Sequence, residues 1–138
     1  MIATQPFIDR LGTAGYAHVE GLFEFAQLTA APRNLPALFV IPERERAAGE
    51  PRIGAYDQKL TLGFSIAIVM AAPGRSSAGA SEQLRTEIRR VKDALFGWTH
   101  PEAASACMIA GGRLLDLDAQ TLTWAIEFTC TYRERKTS

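Results

Sequence analysis

Hydrophobic and polar residues alternate most clearly over residues 58–70. Leu60, Leu62, Phe64, Ile66 and Ile68 share one parity; Lys59, Thr61, Gly63, Ser65 and Ala67 share the other. Period 2 over this length predicts a long strand with one buried face. Residues 121–133 repeat the pattern, with Leu122, Trp124, Ile126, Phe128, Cys130 and Tyr132 on one side. Thr121, Thr123, Glu127, Thr129, Thr131 and Arg133 fall on the other. Between the two runs the period changes. Leu84, Ile88, Val91 and Leu95 draw one apolar stripe along residues 81–96, which predicts an amphipathic helix. Ser81 or Ser77 is placed to cap its start, and Gly97 suits the left-handed position past its last turn. Pro73, Gly74, Arg75, Ser76 and Ser77 form the loop leading into it.

Shorter signals complete the outline. Leu38, Phe39, Val40 and Ile41, bracketed by Pro36 and Pro42, predict a brief strand over residues 37–42. Residues 106–117 predict another, with Gly111 and Gly112 marking a bulge or a close backbone approach. Asp118, Ala119 and Gln120 turn the chain back, so the last two strands form a hairpin. Residues 2–11 and 21–30 suit short helices. Residues 43–57 show no apolar periodicity and predict a long connection; loops beyond ~12–15 residues tend to be functional or disordered. The expected class is α+β: a mainly antiparallel four-stranded sheet, one long helix packed on one face, and short N-terminal helices.

Composition narrows the picture. The 138 residues suit a single domain, and 47% apolar with 22% charged residues is ordinary for a globular chain. A chain of this size can bury roughly 68% of its unfolded surface without a metal or disulfide staple. Fifteen basic residues balance fifteen acidic ones, which disfavours a protein that coats nucleic acid and weakly favours self-association. The start lacks a basic n-region and an apolar h-region, and no apolar run has membrane-spanning length. Cys107 and Cys130 are therefore expected as reduced core residues.

Candidate chemistry is sparse. His18 and His100 have no Cys, Asp or Glu at metal-ligand spacing, and His100 between Thr99 and Pro101 reads as a loop residue. No nucleophile elbow, phosphate loop or dinucleotide fingerprint occurs. Asp116 and Asp118 could hold a cation, but paired acids at a hairpin end more often cap the turn. Trp98 and Trp124 suit core or interface anchors. Neither a metal nor a cofactor is expected, and no catalytic residues are assigned. The charged residues Glu43, Arg44, Glu45, Arg46, Glu50 and Arg52 of the long connection are candidates for contact with a partner. The threonine-rich parity of the last strand (Thr121, Thr123, Glu127, Thr129, Thr131, Arg133) is a candidate subunit interface, through pairing extended to a neighbour.

Several segments, in their order and spacing, resemble the tail terminator and tail-completion proteins of long-tailed phages and prophages. They are the run from Pro36 to Pro42, the strand opening at Gln58, and Leu95, Phe96, Gly97 and Trp98 closing the helix. The hairpin from Gly111 to Leu117, continuing through Trp124 to Phe128 and Tyr132, matches best. The likeness covers about three quarters of the chain, from Pro36 onward. It implies a structural virion protein forming a ring, typically a hexamer, at the head-proximal end of the tail tube. Such a ring stops tube polymerisation and offers a surface to the head–tail connector, while DNA passes through the bore without sequence readout. The implied partners are copies of the chain, the tube protein and the connector, with no membrane; the implied location is the virion neck, and the host cytoplasm before assembly. Residues 43–57 are then expected at the tube end or the bore. The alternatives are a head-side neck subunit or a small ligand-binding domain or enzyme.

Overall fold

In a computed structural model, which describes residues 1–28, 34–49, 56–71, 77–118 and 120–136, the two alternating runs become the longest strands. The chain order is α1 (Gln5–Thr13), β1 (Val19–Glu20), α2 (Leu22–Ala26), β2 (Ala37–Ala48), β3 (Tyr56–Ala71), α3 (Ser77–Leu95), β4 (Met108–Leu117) and β5 (Thr121–Lys136). β3 and β5 are antiparallel over their full length, from Tyr56 opposite Lys136 to Ala71 opposite Thr121. The sheet order is β1-β2-β3-β5-β4. The class is α+β as the pattern implies, but the sheet has five strands rather than four. β1 is the addition: two residues pair parallel to β2 at Leu38 and Phe39. A two-residue strand carries no periodicity, so its existence rests on pairing alone.

One sheet face holds the main core. Leu62, Phe64, Ile66 and Ile68 of β3 lie there with Ile126, Phe128, Cys130 and Tyr132 of β5, all buried. The Phe64 and Phe128 rings stack at 5.6 Å, and Phe7 of α1 rests on Phe64 at 4.5 Å. Val91, Ala94 and Leu95 close the same core from the C-terminal half of α3. The opposite parity makes a second, smaller cluster of Ala37, Phe39, Ala67 and Val69. Phe25 of α2 covers it, with its ring 5.2 Å from that of Phe39. Helices thus cover both faces, not one, because β2 and β3 carry apolar side chains on both parities at this end. Cys107 and Cys130 are free thiols in the core; their mutual hydrogen bond and burial push the Cys107 thiol far up, so it stays protonated.

Two boundaries matter most. β2 does not stop at Pro42 but runs to Ala48, so residues 43–48 of the expected loop are strand. The physical reason is that β3 is long enough to supply partners, Gly63 to Lys59, for Arg44 to Ala48. The Leu38 amide donates to His18 O of the β1 side at 2.9 Å, so Pro42, on the same parity, directs its nitrogen away from β3 and forfeits no ladder bond. The register slips between Pro42 and Arg44, leaving Glu43 as a bulge. α3 starts at Ser77, so Ser81 lies within the helix and is not its cap. The lead-in residues Pro73, Gly74, Arg75 and Ser76, and the tail of the second expected helix at residues 29–30, lie outside the described residues. Gly97 ends α3 at φ +83° as expected, and its amide donates to Cys107 O at 2.9 Å.

β4 carries two register slips, after Ile109 and after Leu114, so Ala110 and Leu115 are bulged beside the expected glycine pair. A Cβ on Gly112 would come within 3.2 Å of Trp124 Nε1, which explains a glycine at that close approach. The hairpin turn is held by Asp118, whose Oδ1 accepts the amides of Gln120 at 2.7 Å and Thr121 at 2.8 Å. Replacing Phe128 by Ala removes the ring at the centre of the core and is expected to cost about 3–5 kcal/mol in urea unfolding. Leu115→Ala, on the exposed bulge, is expected to cost less than about 1 kcal/mol in the same measurement.

Candidate assembly surface

The two sets of residues expected at a partner surface are placed differently. Glu43 accepts a hydrogen bond from the Ser65 hydroxyl, and Glu45 accepts one from the Tyr132 hydroxyl and lies 3.6 Å from the amino terminus. Arg44 and Arg46 point to the α2 side of the sheet, exposed, with no ion pair among the described residues. Glu50 and Arg52 lie outside the described residues. The charged run is therefore an edge strand with alternating directions rather than a loop.

β5 lies between β3 and β4, so its backbone is already paired on both sides over residues 122–129. Beyond β4 the free side is taken as well: Ser105 Oγ accepts the Thr131 amide at 3.0 Å, and Thr131 O accepts the Ala104 amide at 2.7 Å. Over residues 122–131 β5 therefore has no open backbone edge for pairing with a neighbour. Its other side chains have local roles. Thr121 bonds Asp118, Thr123 is buried, and Thr129 is half-buried. Glu127 pairs with Arg113 at 3.4 Å, and Arg133 with Asp57 at 2.8 Å.

The surface that stands out belongs to β4. Every residue of this strand except Gly111 is exposed, and no described strand lies beyond it. It presents Met108 (54% exposed), Ile109 (37%), Leu114 (48%), Leu115 (37%) and Leu117 (61%). Ile109, Leu114 and Leu117 face the α3 side, opposite Phe128, Trp124 and Leu122. Natural sheets usually blunt such an edge; here the bulges, Arg113 and Asp116 do so only in part. Covering what remains open on five such side chains is worth on the order of 5 kcal/mol. The sequence contained a signal for this surface: the expected single long helix is too narrow to cover four strands.

Two buried polar arrangements hold the layers together. His100 is a loop residue as expected, and it is fully buried; its Nδ1 accepts the Glu102 amide at 2.9 Å, so Nε2–H donates to Ala3 O at 2.7 Å. The ring sits against Phe7 and Trp98 and fastens the N-terminus to the segment after α3. Tyr16 donates its hydroxyl to the buried Glu87 carboxylate, with Arg90 3.8 Å from that carboxylate and 5.2 Å from the tyrosine ring. Burial first, then Glu87, holds the Tyr16 phenol well above its ordinary range. Tyr132 is held up in the same way by burial and Glu45. Among the described residues no three His, Cys, Asp or Glu side chains converge as metal ligands, and Asp118 is occupied as the turn cap.

An α+β sheet with an apolar edge left bare among the described residues favours contact with other chains. Residues 1–138 match the phage tail terminator protein family, and the chain belongs to that family, whose members are structural proteins of the virion tail. The fold is similar to that of a chain in the solved virion of a native gene transfer agent particle, with TM-score 0.50 and 16% identity, covering 90% of this chain and 84% of that one. No curated protein matches the sequence.

The raised tyrosines predict alkaline sensitivity. Unfolded tyrosine ionises near pH 10, so above that value the unfolded chain binds fewer protons than the native one and stability falls. Tyr16→Phe is expected to cost about 1–3 kcal/mol at pH 8, because Glu87 loses its donor. Melting curves from pH 8 to 11 should then show a shallower alkaline decline in the variant than in the parent.

Proposed function

We propose that the chain is a tail terminator: copies form a closed ring, hexameric, at the head-proximal end of the tail tube. The ring stops tube polymerisation and gives the head–tail connector its docking surface. DNA passes through the bore without sequence readout, in keeping with a net charge of zero. The 138 residues act as one domain, without cofactor or catalysis, and reside in the host cytoplasm until assembly. The observation that carries the reading is the open apolar edge of β4 in a chain of the terminator family.

Magnitudes support a ring over a pair. Association costs an estimated 4–15 kcal/mol, so one contact worth about 5 kcal/mol hardly holds two free copies together. In a closed ring each copy makes two such contacts, and a tube end that gathers the copies raises their effective concentration. The physical expectation is a weakly associating protein in solution that becomes a ring on the tube.

Electron microscopy of particles assembled without this protein tests the proposal. Overlong tails lacking heads are expected. Tails of normal length beside filled heads that leak their DNA would overturn it in favour of a head-side neck subunit.

A further inference from the structure

Among the described residues the sheet has two free backbone edges on opposite sides. One is β4; the other is residues 40–48 of β2, because β1 pairs only with Leu38 and Phe39. Three antiparallel pairings separate β2 from β4, so the two strands run in opposite directions. If neighbouring copies continue the sheet in a common orientation, β4 of one meets β2 of the next as an antiparallel ladder.

The side chains on the two edges match. Arg44 and Arg46 stand two residues apart on the α2 side and make no ion pair among the described residues. Asp116 lies on that same side of β4, opposite Thr123, exposed and likewise without an ion pair among the described residues. Antiparallel order with Asp116 opposite Arg46 sets residues 113–117 of β4 beside residues 45–48 of β2. On the α3 side, Met1 is 64% exposed at the β2 edge, where its amino group meets Glu45. In that register Leu117 comes opposite Glu45 and beside Met1. Pairing of β4 with itself would bring the two Arg113 side chains together near the dyad, and like charges across a strand pair are destabilising. It would also give a closed dimer rather than a ring.

We infer that the C-terminal half of the β4 edge, residues 113–117, docks on residues 45–48 of β2 in a second copy, with Asp116 against Arg46. This deepens the ring reading and rests on it, while the test separates the two. A chain carrying both Arg46→Cys and Asp116→Cys is oxidised mildly, with and without tail tubes; directly opposite Cβ atoms come to about 4.5–5.5 Å, near disulfide reach. The parent and each single variant are treated alike, since Cys107 and Cys130 are buried. The expected result is a ladder of dimers, trimers and larger species from the double variant alone. In parallel, Asp116→Arg should raise the concentration for half-assembly at least tenfold, and Arg46→Asp in the same chain should restore it; circular dichroism checks that each variant is folded.

Dimers from Arg113→Cys alone, oxidised in the same way, would show β4 paired with itself and overturn the inference. Rings that form normally with no ladder and no effect of the charge reversal would overturn it too, leaving the ring reading intact. A parent protein that never assembles, even on tubes, would sink both.

Discussion

Everything in this protein is hung on the antiparallel pairing of β3 with β5. Sixteen consecutive residue pairs hold these strands together, and the stacked Phe64 and Phe128 rings sit near the ladder's centre. The length of β3 then decides where β2 ends, because a strand that offers Gly63 to Lys59 as partners draws Arg44 to Ala48 into the sheet. The charged run that follows Pro42 is thereby an edge, with Glu45 turned toward Tyr132 and the amino terminus while Arg44 and Arg46 are turned to the other side.

The same pairing fixes what remains uncovered. α1 and the C-terminal half of α3 lie over the centre of the sheet, where Phe7, Val91 and Leu95 meet the β3 and β5 core. The small α2 covers the far face only near Phe39. No described element is left for β4. Its apolar side chains are the direct result of a five-stranded sheet roofed by too little helix, and they give the molecule a surface whose exposure favours contact with other chains.

Buried polar groups tie the layers in a complementary way. Tyr16 and Glu87 join the end of α1 to α3, and His100 uses both ring nitrogens to bind Ala3 O and the Glu102 amide. Among the described residues each buried side-chain polar atom has a partner, so these contacts hold elements in place. Ser65, facing Glu43 across the β2–β3 pair, and Arg113, paired with Glu127 across β4–β5, do the same on the sheet's far side.

Alternation by itself determined β3 and β5, the i, i+4, i+7 stripe determined α3, and Gly97 marked where that helix stops, because each of these is a local periodicity or a backbone preference. Asp118 was legible for the same reason: a short acidic side chain at a hairpin end bonds the amides two and three residues on. Tertiary structure alone decided the rest. β1 has two residues and no pattern, and Glu43 to Arg46 look like a loop until β3 is beside them. Thr121 to Arg133 look like an edge until β4 and β3 close around them. Which strand lies outermost is a property of pairing order, and pairing order joins residues far apart in the chain; no local spacing records it.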